Sequence, residues 1–200
     1  KEFSFPAIWR GTESYTFWPK IYYGKPKGEE ELALILRRFL DKLIKKQSES
    51  KKEANLYVDD SPWNILIAKD LFSLLPDTKI INVLRDPRDI TASFIKQDWS
   101  PKNFKDAVIY CKDVTEYWFS FKKDLPSEKY MEIKLEDLVS SSEPITRKIC
   151  DFIVLPYENQ MIEIDLSKSH SGRWEKEFSE EEKKYLQEQL GDIIAKLGYK

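Results

Sequence analysis

The chain has 200 residues, of which 41% are hydrophobic and 34% are charged, and its formal net charge at pH 7 is −2. This composition is ordinary for a globular domain and carries no general affinity for polyanions, so no nucleic-acid partner is expected. No apolar run is long enough to cross a bilayer, so no transmembrane segment is expected in this chain. The two cysteines and single histidine exclude a disulfide framework and a multi-histidine metal site.

The predicted elements begin after an aromatic-rich stretch, residues 1–28, whose prolines and glycines indicate irregular structure. An apolar stripe and an acidic first turn predict a helix at 29–47, followed by a polar surface loop. Strand and helix patterns then alternate. They are strands at 55–58, 79–84 and 129–134, helices at 63–75, 87–97, 103–123 and 143–153, and a last helix that opens at the capping-box sequence 179–182 and ends at Gly198.

Strands separated by helices predict a parallel sheet covered by helices, and therefore the α/β class. We expect residues 1–200 to form one domain. In sheets of this kind, ligands bind beyond the carboxyl ends of the strands. The residues that follow each predicted strand are therefore the first candidates for a site.

The segment at 80–93 joins a buried strand to a helix. Asp86 is a good N-cap, Pro87 suits the first helical position, and Asp89 complements the helix dipole, so these three residues need no ligand. Arg85 is different, because a guanidinium directly after an apolar strand needs an anionic partner. That partner is either a protein carboxylate or a ligand phosphate, and the hydroxyl of Ser93, two helical turns further on, could share a ligand phosphate.

At this point the chain resembles the sulfotransferases that use 3′-phosphoadenosine 5′-phosphosulfate (PAPS) as donor. In that family an arginine at a strand end and a serine eight residues later hold the 3′-phosphate of the cofactor, a spacing that Arg85 and Ser93 reproduce. The resemblance covers roughly residues 54–200. The other matching segments, in family order, are 75–81, 131–139, 149–157 and 172–179.

The resemblance implies a three-layer, P-loop-like α/β fold with a central parallel sheet flanked by helices. It implies PAPS as the donor, 3′-phosphoadenosine 5′-phosphate (PAP) as the product, and no required metal. Gly172 and Arg173 in the Gly-Arg-Trp loop are implied cofactor contacts, with Lys168 nearby. For Arg173 the alternative is a surface residue before the last helix.

Two carboxylates are candidates for the catalytic base. Residues 1–5 resemble the Lys-Glu-x-His-Phe segment of heparan-sulfate-type members, which implies that Glu2 is the base; the alternative is a plain terminal carboxylate. Asp60 stands where the family often has lysine, and it could contact the acceptor, act as the base, or simply begin a helix.

The candidate acceptor contacts are Trp9, Trp63 and His170. For the aromatic residues the alternative is packing in the core. For His170 it is a solvated loop. The acceptor itself is expected to be a carbohydrate, a lipid or a small alcohol, with a sugar hydroxyl favoured by the resemblance of residues 1–5.

The family's glycine-rich loop, which cradles the 5′-phosphosulfate, does not occur in this sequence. We therefore expect the chain to lack the first strand and this loop, and to lack full activity by itself. One rival interpretation is a P-loop-type small-molecule kinase, in which Asp59 or Asp60 would hold Mg²⁺. The other is a non-catalytic, sulfotransferase-like binding module. The absence of Asn-x-Ser/Thr sequons favours a cytoplasmic location, and the Golgi lumen is the alternative for a membrane-anchored member.

Overall fold

The computed structural model describes residues 28–49, 56–165 and 170–200. The chain divides into two compact units, Lys1–Thr78 and Lys79–Lys200. The expected single domain stays a prediction. In the part of the chain that is described, no helix is both long and apolar enough to span a membrane.

The first unit contains α1 (Glu29–Ser48), a 3₁₀ helix (Pro62–Ile67) and α2 (Ala68–Leu74). Helix α1 agrees with the sequence prediction to within a residue. The helix predicted at 63–75 is present as two pieces, of which the first is 3₁₀ and the second is α-helical. Local bonds hold that turn: the Asp59 carboxylate accepts from the Ser61 N–H at 2.9 Å, and the Asn64 side chain donates to the Asp59 carbonyl at 3.2 Å.

The strand predicted at 55–58 is wrong for residues 56–58, which have no regular structure. Their apolar side chains are largely exposed, and that of Val58 is 74% exposed. A strand needs a partner to satisfy its backbone groups, and within the described ranges no other segment pairs with these residues. The β-branched and aromatic composition alone is not enough to form a strand.

The second unit contains two strands and six α-helices in the residues described. They are β1 (Ile80–Leu84), α3 (Pro87–Phe94), α4 (Phe104–Phe121), β2 (Tyr130–Lys134), α5 (Leu135–Ser140), α6 (Ser142–Ile153), α7 (Trp174–Glu177) and α8 (Glu180–Lys196). The strands pair in parallel, with Ile80 opposite Tyr130 and Leu84 opposite Lys134. Both strands therefore end at the same edge, and α3 and α5 begin there.

Hydrogen bonds between nearby residues are found at three helix boundaries. Asp86 caps α3 through the Arg88 N–H, and Pro87 occupies the first position, as predicted. Ser179 and Glu182 form the predicted capping box of α8. Helix α3 ends at Phe94 instead of the predicted residue 97: the Lys96 and Gln97 N–H groups donate to carbonyls only three residues back, and the Ser100 hydroxyl also donates to the Phe94 carbonyl.

The core of this unit lies where α4 packs against α8 and α3. Helix α8 buries an apolar stripe with the predicted helical spacing, and α4 supplies the facing side chains. The buried residues on these two helices include Val108, Cys111, Trp118, Leu186, Leu190, Ile193 and Ile194. This packing fixes the position of α3, and with it the residues that connect β1 to α3.

Burial also perturbs three groups that lose protons at alkaline pH. It raises the pKa of the Cys111 thiol from 9.0 to about 12, and it raises the pKa of the Tyr110 and Tyr199 hydroxyls. As pH rises, each group loses its proton in the unfolded chain before it does so in the folded protein, and this favours unfolding. The contribution of each neutral group to the free energy of unfolding is therefore complete below the pKa that the group has in the unfolded chain. That contribution is lost as pH rises from about 9 towards 12.

We therefore predict that the free energy of unfolding falls between pH 9 and pH 11, measured by urea titration, and that Cys111→Ser reduces the slope. In the native state near pH 8 the Cys111 thiol should not react with a thiol reagent, and it should react after unfolding. Identical unfolding curves at pH 7 and pH 11 would contradict this prediction.

Candidate functional site

The carboxyl edge of β1 presents Arg85, whose side chain is 15% exposed. Its Nη2 donates to the carbonyl oxygen of His170 at 3.0 Å and lies 4.0 Å from Oδ2 of Asp89. The sequence leaves open whether a protein carboxylate or a ligand faces this guanidinium, and the structure places a carboxylate there. The same guanidinium also contacts the turn before α7.

Asp89 connects α3 to that turn, which we call the 170–174 turn. Its carboxylate is only 1% exposed, and both oxygens are used. Oδ2 accepts from the Gly172 N–H at 2.7 Å, and Oδ1 accepts from the Trp174 N–H at 3.1 Å. Gly172 has a φ of +74°, a conformation that glycine adopts without strain, and His170 has a φ of +55°.

The sequence alone assigns Asp89 to the helix dipole and does not reveal this connection. The one signal it offers is spacing, because Asp89 lies four residues before Ser93 and hence on the same side of α3.

Asp86 and Arg88, which follow Arg85 in the sequence, form a buried ion pair. Nε of Arg88 donates to Oδ1 of Asp86 at 2.9 Å, and Nη2 donates to Oδ2 at 2.6 Å. Nη2 also donates to the Lys200 carbonyl at 2.7 Å, and the guanidinium carbon lies 4.0 Å from the centre of the Trp174 ring. Because Nε and Nη2 donate to protein oxygens and the guanidinium face lies over the Trp174 ring, we assign Arg88 a structural role and not a ligand contact.

Glu136 lies at the start of α5, directly after β2, and its carboxylate contacts both the residues that follow β1 and the end of the chain at Tyr199. One of its oxygens accepts from the Asp86 N–H at 3.3 Å, and the other accepts from the Tyr199 hydroxyl at 2.8 Å. Burial first, and the Glu136 hydrogen bond second, raise the pKa of Tyr199. The carboxyl edge of the β1–β2 pair is thus fixed by hydrogen bonds from three parts of the unit.

Arg173 is held by a neighbouring carboxylate. Its Nε donates to Oε1 of Glu177 at 3.0 Å, and the same oxygen accepts from Nζ of Lys96 at 2.7 Å. The Lys96 hydrogen bond is the largest cause that lowers the pKa of Glu177, with Arg173 adding to it. Glu177 therefore links the end of α3 to the turn and holds the Arg173 side chain in place.

Ser93 lies in the second turn of α3, one turn beyond Asp89, and is partly buried. Within the described ranges, no hydrogen bond joins its hydroxyl to another residue. Of the predicted cofactor and acceptor contacts, the structure brings three together: Arg85 contacts His170, and Asp89 contacts both Arg85 and Gly172. Ser93 lies on the same helix as Asp89. Lys168 lies outside the described residues.

The remaining candidates fall in the first unit or outside the described residues. Asp60 is exposed before the 3₁₀ helix, where Asp59, and not Asp60, stabilises the turn. Trp63 is partly buried in that helix. Glu2 and Trp9 lie outside the described residues. Across residues 28–49, 56–165 and 170–200, no group of three or more potential metal ligands comes together.

Comparison with known proteins gives matches of two kinds. A model of the sulfotransferase family matches residues 11–159, a range that includes Arg85 and Ser93 but ends before the 170–174 turn. A solved sulfotransferase domain from the curacin biosynthetic pathway matches with a TM-score of 0.58 and 18% identity, covering 86% of this chain and 74% of that domain. The sulfotransferase domain of an olefin synthase from Synechococcus PCC 7002 matches with a TM-score of 0.56 and 16% identity, covering 82% of this chain and 70% of that domain.

A search of curated proteins gave no match. At these identities the two solved domains establish the fold alone, and they confirm the predicted α/β, P-loop-like class.

Proposed function

The chain belongs to the sulfotransferase family, and we propose that it transfers a sulfuryl group from PAPS to a hydroxyl or amine of an acceptor, releasing PAP. The observation that carries the donor assignment is the position of Arg85. Its guanidinium lies at the carboxyl end of β1 and beside the first turn of α3, inside the matched range. Ligands of parallel sheets bind at such an edge.

Arg85 and Ser93 are the proposed contacts of the 3′-phosphate. The His170 carbonyl and the Asp89 carboxylate already orient the guanidinium, so little side-chain freedom remains to be lost when an anion binds. The Ser93 hydroxyl, without a protein partner in the described residues, is available as a second donor. Gly172, Arg173 and Lys168 are proposed to complete the nucleotide contacts.

The reaction requires one bond to form as another breaks. The acceptor oxygen or nitrogen attacks the sulfur in line, the bond between sulfur and the bridging phosphate oxygen breaks, and PAP leaves with the electron pair. The acceptor proton passes to a general base, for which Glu2 and Asp60 are the proposed residues. Fixed cationic donors stabilise the charge that develops, and we propose that no metal ion is required.

The acceptor is proposed to be a hydroxyl compound, and Trp9, Trp63 and His170 stay as proposed acceptor contacts. The resemblance of residues 1–5 supports a sugar hydroxyl. One solved neighbour belongs to the curacin biosynthetic pathway and the other to an olefin synthase, so we propose a small or lipid-like alcohol as the second acceptor class to test. A panel that contains a glycoside and a long-chain alcohol separates the two classes by initial rate of sulfate transfer from labelled PAPS.

Ser93→Ala should weaken PAP binding by about tenfold or more, the loss of one hydrogen bond to a charged ligand group. Calorimetric titration measures this, with Ser120→Ala on the exposed side of α4 as the matched control. Unchanged PAP affinity in Ser93→Ala would remove this residue from the site. Magnesium-dependent binding of ATP in place of PAP would support the kinase alternative and contradict the proposed function.

A further inference from the structure

We propose that Asp89 is a positioning residue: by holding the 170–174 turn against α3, it sets the affinity of the nucleotide site for a 3′-phosphate. This inference rests on the proposed function. It assigns no contact between Asp89 and the ligand. Its basis is the pair of backbone hydrogen bonds that this one side chain accepts.

The Asp89 carboxylate is buried, and each of its two oxygens accepts a backbone hydrogen bond. At 1% exposure it has almost no access to water, so its charge depends on protein donors. Two of those donors are the Gly172 and Trp174 amides, which lie 83 and 85 residues away in the sequence. A carboxylate that accepts from two alternate amides fixes the backbone between them.

The residue between those two amides is Arg173, a proposed nucleotide contact. Its backbone is therefore anchored on both sides by the same carboxylate. The Arg85 guanidinium contacts this assembly at two points, the Asp89 carboxylate and the His170 carbonyl. Asp89 thus determines where two cationic side chains from distant parts of the sequence lie relative to each other.

Asp89 has a second effect with the opposite sign. Its negative charge, 4.0 Å from Nη2 of Arg85, opposes a phosphate at the same guanidinium. Asp89→Asn shows which of the two effects, positioning of the turn or competition with the phosphate charge, is the larger, because it removes the charge and keeps the shape. The asparagine side chain has one acceptor oxygen, and its amide nitrogen would face an N–H donor. If positioning dominates, PAP binding weakens in this variant; if charge competition dominates, it strengthens.

The experiment combines amide hydrogen exchange with calorimetry on the full-length protein. In Asp89→Asn without nucleotide, exchange at the Gly172 and Trp174 amides should accelerate. PAP binding should weaken by about tenfold, the equivalent of one hydrogen bond to a charged group, while binding of adenosine 5′-phosphate, which lacks the 3′-phosphate, should not change.

Glu132→Gln is the matched control, because Glu132 is a partly buried carboxylate on β2 that accepts from Trp118 and Lys122 away from the turn. It should lower stability without changing the ratio of PAP affinity to adenosine 5′-phosphate affinity. An equal change of that ratio in both variants would show a merely structural effect and overturn the inference.

The other outcomes also decide the question. Tighter PAP binding in Asp89→Asn would show charge competition and overturn positioning, and so would unchanged amide exchange. If the unsubstituted protein ignores PAP while Asp89→Asn still accelerates exchange, the tether stands, but the proposed function and the role in nucleotide affinity both fail. If the unsubstituted protein binds PAP and the variant binds it equally well, the inference alone fails.

Discussion

Replacing Asp86 with alanine should lower the free energy of unfolding by about 3–5 kcal/mol, because it leaves the Arg88 guanidinium buried without its counter-charge. Asp86 and Arg88 are 7% and 8% exposed, and two hydrogen bonds between their side chains are 2.9 and 2.6 Å long. The substitution also removes the N-cap of α3, which by itself is worth about 1 kcal/mol. Urea titration measures the loss.

The matched control is Asp98→Ala, which removes a carboxylate from an exposed pair with Lys102. The control should leave the unfolding midpoint unchanged, since exposed pairs contribute little. An equally small change in Asp86→Ala would contradict the view that the Asp86–Arg88 pair supports this edge of the sheet.

Replacing Arg85 with alanine should weaken PAP binding by about a hundredfold, the equivalent of losing two charge-assisted hydrogen bonds to phosphate. The variant should remain folded, because Arg85 is not among the buried residues of the core formed by α3, α4 and α8. Calorimetric titration gives the affinity, and thermal unfolding checks the fold.

Arg147→Ala is the control for the loss of one positive charge. Arg147 pairs with Glu143 on α6 at 2.8 Å, and it should not affect PAP binding. If Arg85→Ala bound PAP as tightly as the unsubstituted chain, the 3′-phosphate would have to lie elsewhere.

Features governed by neighbouring residues could be predicted from the sequence. The N-cap at Asp86, the proline at position 87 and the capping box at Ser179 and Glu182 each depend on contacts within four residues. The apolar stripe of α8 depends on helical periodicity alone. The apolar run that ends at Arg85 is equally local, and it correctly predicts β1 with the arginine at its carboxyl end.

Features that depend on distant residues were not predictable in this way. The tether from Asp89 to Gly172 and Trp174 spans more than 80 residues, and one sequence gives no sign that these amides meet that carboxylate. The same is true of Arg88 and the Trp174 ring. The strand expected at 55–58 is wrong for a related reason, because residues 56–58 have strand-like composition but no pairing partner among the residues described.

The most direct test of the proposed function is calorimetric titration of PAP and of adenosine 5′-phosphate into the full-length protein without metal. We predict that PAP binds at least about a hundredfold more tightly than adenosine 5′-phosphate, because only PAP carries the phosphate that Arg85 and Ser93 are proposed to hold. Equal affinity for the two nucleotides, or preference for ATP with magnesium, would contradict the assignment of a PAPS-dependent sulfotransferase.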